Sequence, residues 1–115
     1  MNTKIRLILF VVLVLGISFV CPQISFAECD ATTCVTTIKR LYIDSNQTYI
    51  WPEGNDTVNL GCSLISDKYI RLLPSHSQYK EIYAALLLGY SMGKTMGLRI
   101  SGNQEECTIS YVTMN

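Results

Sequence analysis

Apolar and polar residues alternate in three ways along this chain, and each way predicts a different kind of segment. From Leu7 to Val20 apolar residues run almost without interruption, with Lys4 and Arg6 before them and Cys21-Pro22-Gln23 after. A basic start, an apolar stretch of this length and the small residues Ser25 and Ala27 on either side of Phe26 make an export signal cleaved after Ala27. Residues 1–27 then form a signal peptide and residues 28–115 a single domain. Two rival readings are weaker. An uncleaved anchor would want about 20 apolar residues to span a bilayer, and the run is shorter. A lipoprotein acylated at Cys21 would want a small residue just before it, where Ser18-Phe19-Val20 has valine.

From Val35 to Ile43 the run is rich in β-branched residues, with Val35, Leu41 and Ile43 on one face and Ile38 and Tyr42 on the other, which predicts a strand. Asp44-Ser45-Asn46 has turn chemistry, and Gln47–Trp51 reads as the second arm of a hairpin that Pro52 ends. Thr57–Leu64 and Tyr69–Leu73 are short extended pieces, either one bent strand or a second hairpin. Beyond Gln78 the period lengthens. Tyr79, Ile82, Tyr83, Leu86 and Tyr90 recur every three or four residues, the stripe of an amphipathic helix over about residues 77–92. A serine cap at Ser75 or Ser77 opens this helix and Gly93 closes it. Alternation returns in Thr95–Ser101 and Cys107–Met114, separated by the polar turn Gly102–Glu106. The order predicts an α+β fold, a small antiparallel sheet or partly open OB-like barrel with one packed helix.

Composition sharpens this picture once the signal is removed. Loss of 27 of 115 residues leaves 88, a small domain whose limited core needs reinforcement. Cys29, Cys34, Cys62 and Cys107 remain, an even number in an exported chain, so disulfides are the expected use. Three connectivities are open. The favoured one joins Cys62 to Cys107, tying the middle of the domain to its last strand, and Cys29 to Cys34, stapling the N-terminus. Zinc ligands usually come as two close pairs; only Cys29 and Cys34 are close, and His76 is the sole histidine, so no metal or other cofactor is expected. Lys4 and Arg6 leave with the signal, so seven basic residues face nine acidic ones, a net charge of about −2. That balance argues against nucleic acid as a partner.

No constellation announces catalysis. A nucleophilic role for His76 would need a partner carboxylate and an oxyanion hole, and adjacent Glu105 and Glu106 point apart rather than converging as an acid and base pair. Gly89, Gly93 and Gly97 recur every four residues, which close helix packing and a cap explain better than a membrane dimer. Asn46-Gln47-Thr48 and Asn55-Asp56-Thr57 match the glycosylation acceptor but read as ordinary turns. The aromatic residues are more informative. Tyr79 and Tyr83 belong to the helix stripe and the core, whereas Tyr42, Tyr49, Trp51 and Tyr69 are free to face a ligand, as rings do against the apolar faces of sugars.

From about Val35 to Met114 the chain resembles the secreted B subunits of bacterial AB5 toxins, of the subtilase-cytotoxin and typhoid-toxin type. The likeness rests on a hairpin-like opening that leads to Cys62, a helix reading Tyr-Lys-Glu-Ile-Tyr-Ala-Ala-Leu-Leu-Leu-Gly-Tyr, then Gly93-Lys94 and the strand Met-Gly-Leu-Arg-Ile. It also resembles a set of short exported proteobacterial proteins with the order helix, Gly-Lys, strand, Cys, strand. The resemblance implies an OB-type fold and, for the toxin subunits, a ring of five that binds cell-surface glycans. The expectation is therefore an exported, non-catalytic module, periplasmic or secreted, that binds a glycan or a protein partner and can form a homo-oligomer, with no stable membrane insertion after cleavage. The alternative is a periplasmic or envelope accessory or inhibitor protein that acts through protein contacts at its strand edges.

Overall fold

The computed structural model describes residues 2–8, 27–102 and 105–115, and in it residues 3–8 are helical and exposed. The apolar run beyond Ile8, Cys21, Ser25 and Phe26, all assigned to the expected export signal, lie outside the described residues, as do Asn103 and Gln104 of the polar turn. Among the described residues no helix is long and apolar enough to cross a membrane.

Among the described residues seven strands form two antiparallel sheets. In chain order they are β1 (Glu28–Cys29), β2 (Thr33–Thr36), β3 (Ile38–Ile43), β4 (Thr48–Pro52), β5 (Ile70–Leu72), β6 (Met96–Ile100) and β7 (Ile109–Met114), with a 3-10 turn at Asp56–Asn59 and a helix at Tyr79–Met92. One sheet has the order β1-β2-β6-β7 and the other β3-β4-β5. They are joined on one side at Thr37, where β2 runs into β3 as one bent strand. On the other side a short parallel seam pairs Arg71 with Thr108 and Ser63 with Glu106, held by Arg71 N–H donating to the Cys107 carbonyl at 3.0 Å and Cys107 N–H to that of Ser63 at 2.9 Å. Counting the bent strand once and leaving out the short β1, neighbours around the ring follow the order first, second, third, fifth, fourth and back to the first. That is the connectivity of a five-stranded OB barrel, left partly open because its third and fifth strands touch only along the short seam.

Alternation puts Ile50, Ile70, Leu72, Met96, Leu98 and Ile109 inside, all fully buried. The helix lies against β3 and β7 and adds Ile82 and Leu86 to the same core; each such side chain contributes about 1.5–3 kcal/mol by leaving water. Gly89 lets the helix approach β6, since a Cβ there would stand 2.2 Å from the Met96 sulfur. Gly93 takes the left-handed conformation (φ 61°), and the N–H groups of Gly93 and Lys94 close on the carbonyls of Tyr90 and Gly89. Cys29 is bonded to Cys34 and Cys62 to Cys107, the first across the β1/β2 pair and the second across the parallel seam. Two disulfides in so small a domain fit an oxidising compartment outside the cytoplasm.

Four expectations are corrected. Ile38 and Tyr42 do not share a face, nor do Val35 and Leu41, because a bulge opposes Lys39 and Arg40 to the single residue Trp51 and reverses the alternation. Ile38 is buried and Tyr42 exposed as a result. Thr57–Leu64 is not a strand: Asp56–Asn59 is a 3-10 turn, and Gly61 donates its N–H to Ala31 outside any ladder. Only a tight hairpin survives there, pairing Ile65 with Tyr69. The helix carries no serine cap. Gln78 holds the N-cap position, and its N–H is met at 3.0 Å by His76 Nδ1. Finally, Tyr90 leaves the core stripe and is exposed, its place on the buried face taken by Gly89.

Candidate binding site

Tyr42, Tyr49, Trp51 and Tyr69 come together on the outer face of the three-stranded sheet. The register pairs Tyr42 with Tyr49 and Tyr49 with Arg71, so these side chains point the same way and contact across strands. Tyr69, one residue ahead of β5, is the hub. Its ring centroid lies 6.5 Å from Tyr42, 5.9 Å from Tyr49 and 5.9 Å from Trp51, while Tyr42 and Tyr49 are 5.6 Å apart. Edge-on and tilted contacts of this kind add about 0.5–1.5 kcal/mol each beyond area burial and hold the rings in place. Tyr42 is 52 % exposed, and the other three are half-buried.

Beside the rings lies a cleft of about 300 Å³ lined by Tyr42, Asp44, Tyr49, Ile65, Ser66 and Tyr69. One wall is the Asp44–Gln47 turn. Asp44 Oδ1 accepts from the N–H groups of Asn46 at 2.7 Å and Gln47 at 2.9 Å, and the Gln47 amide reaches the Tyr49 hydroxyl. The other wall is the tight hairpin, where Ser66 (φ 54°) and Asp67 (φ 58°) are both left-handed. Non-glycine residues held so cost about 1–3 kcal/mol each and tend to cluster where a ligand is met. The hairpin also aims Lys68 at Trp51.

Three cations gather on the Trp51 ring: Lys39 Nζ at 4.3 Å from its centre, Lys68 Nζ at 5.1 Å and the Arg40 guanidinium carbon at 5.5 Å. The bulge places Lys39 and Arg40 there together. Each contact is worth about 0.5–1 kcal/mol at an exposed site. Sequence reasoning missed these cations. The signal available was the pair Lys39-Arg40 interrupting a β-branched run, which marks an outer face but does not disclose the bulge.

Of the remaining candidates, His76, Glu106, Tyr79 and Tyr83 make contacts within the fold. Because His76 Nδ1 accepts from Gln78, Nε2 carries the proton and donates to the Ser110 carbonyl at 2.7 Å, so the ring pins the helix start to β7. Glu106 pairs with Arg71 at 2.7 Å across the seam, and Glu105 is exposed. Thr48 of the first acceptor motif is fully buried, its hydroxyl 2.9 Å from that of Tyr79. Tyr79 and Tyr83 are half-buried and stack on each other. Among the described residues no group of three or more His, Cys, Asp or Glu is placed to hold a metal ion. No protein-family model, curated protein or solved structure matches this chain.

Proposed function

We propose that this protein is an exported, non-catalytic binding module that recognises a glycan on the outer face of its three-stranded sheet. The observation that carries the reading is the convergence of Tyr42, Tyr49, Trp51 and Tyr69 beside an open cleft. OB barrels bind oligosaccharides and oligonucleotides on this face, next to the loop between the first two strands, which here is Asp44–Gln47. Tyrosine rings offer a flat apolar surface for a pyranose and hydroxyls for its rim. The signal-like N-terminus and the two disulfides support a periplasmic or secreted location, and the resemblance to toxin B subunits supports glycans over other ligands and a homo-oligomer over a monomer.

A glycan array probed with the mature protein tests this. Binding of at least one saccharide, weakened tenfold or more by Tyr42→Ala with the melting temperature kept within a few degrees, supports it. An array without any bound saccharide, or a hit indifferent to Tyr42, removes it. A second reading, an accessory protein working through strand edges, is favoured by the exposed Tyr111 and Met114 on β7. It expects one partner protein at fixed stoichiometry, lost on Tyr111→Glu.

A further inference from the structure

We infer that the cations around Trp51 receive a sulfate or phosphate ester carried by the bound saccharide; this rests on the glycan reading of the same face. After Ala27 the chain has seven basic residues against nine acidic, yet Lys39, Arg40, Lys68 and Arg71 all lie on this one face. Arg71 is matched by Glu106. Among the described residues, Lys39, Arg40 and Lys68 have no carboxylate within ion-pair distance and share one aromatic ring instead. Gathering three like charges without a counter-charge is unfavourable by itself and creates a local positive potential on an acidic protein.

The chemistry of the set favours a tetrahedral oxyanion over a carboxylate. A carboxylate brings one charge and two oxygens, which a single guanidinium satisfies in a fork. A sulfate or phosphate ester has three terminal oxygens, one for each cation, and a phosphate monoester carries nearly two charges. Lys39 and Lys68 are exposed and flexible, and their contacts with the ring are weak enough to exchange for charge-assisted hydrogen bonds. The saccharide that bears the ester then rests on Tyr42, Tyr49 and Tyr69, in the cleft beside Trp51.

Dextran oligosaccharides of one length, prepared uncharged, carboxymethylated, sulfated and phosphorylated, separate the outcomes when titrated into the mature protein alongside the glycan array. The expected result is binding of the sulfated or phosphorylated form at least tenfold tighter than of the carboxymethylated form, and which ester binds tighter identifies the source. That preference should vanish in Lys39→Gln/Arg40→Gln/Lys68→Gln and survive in Lys80→Gln/Lys94→Gln, which removes two cations elsewhere. Lys68→Gln alone, on an exposed turn, gives the same direction at smaller size if the triple variant folds poorly. Equal binding of carboxylate and ester, or an array hit that is neutral and indifferent to the triple variant, overturns the inference and leaves the glycan reading intact. No saccharide bound in either format overturns both. A single-stranded oligonucleotide that displaces the sulfated dextran at lower concentration also overturns it, since aromatic rings and cations on an OB face suit that ligand too.

Discussion

At the scale of single residues, several side chains that look functional are fasteners. His76 spends both ring nitrogens on the backbone, one on Gln78 and one on Ser110. His76→Ala is expected to lower stability by about 1–3 kcal/mol, the usual cost of leaving such groups unpaired, in a denaturant titration, without changing glycan binding. Tyr79→Phe strips the buried Thr48 hydroxyl of its partner and should cost about 1–2 kcal/mol. Asp30 makes a pH-dependent fastener. The N–H groups of Thr32 and Thr33 donate to its carboxylate, and these bonds, Thr32 first, hold its pKa below the ordinary aspartate value. A depressed carboxylate contributes stability above its unfolded pKa and loses it as pH falls through the folded one. Wild type is therefore expected to exceed Asp30→Asn in urea midpoint near pH 6, with the gap closing on acidification below the unfolded aspartate value.

At the scale of elements, legibility followed how local the cause was. The helix was readable because Tyr79, Ile82 and Leu86 set a period and Gly93 supplied a left-handed close, and the Asp44 turn because its side chain bonds its own backbone two and three residues on. The candidate aromatic residues could be named because none lies on the helix stripe. Their convergence could not be read, because it depends on a register set between strands. The Lys39 bulge is the clearest case: one extra residue reverses which side chains face out, and nothing local to Ile38-Lys39-Arg40 declares it. The absent strand at Thr57–Leu64 has the same origin, since Leu60, the extended residue that follows the 3-10 turn, reaches the core as well as it would from a ladder. Deleting Lys39 tests the bulge. With the extra residue gone, the same pairings form a regular ladder that keeps Ile38 and Leu41 inward and Tyr42 outward. The deletion is therefore expected to retain the fold in denaturant titration and the Tyr42-dependent binding on the glycan array, and loss of both would contradict a bulge of one residue.

At the scale of the whole molecule, the barrel is held at two unequal joints. The bend at Thr37 is covalent chain, whereas the seam between β5 and β7 has only a few hydrogen bonds, the Arg71–Glu106 pair and the Cys62–Cys107 bond. Cys62 and Cys107 are 45 residues apart, a loop whose closure restricts the unfolded chain by about 4 kcal/mol on the entropy model, against roughly 2 kcal/mol for the short Cys29–Cys34 loop. Cys62→Ser/Cys107→Ser should accordingly destabilise the protein by more than Cys29→Ser/Cys34→Ser, as read from melting temperatures. The seam bond also has a kinetic meaning. Its strands are parallel and distant in sequence, the kind of pairing whose search slows folding. Once oxidised, the unfolded chain carries the two sides of the seam as neighbours, so the slowest meeting is made before collapse begins. Refolding of the disulfide-intact chain is expected to outrun that of the Cys62→Ser/Cys107→Ser variant in stopped-flow mixing. The order of events during maturation then matters: a chain oxidised first at Cys62 and Cys107 folds as a short-range problem, and one oxidised late must find its own far edge.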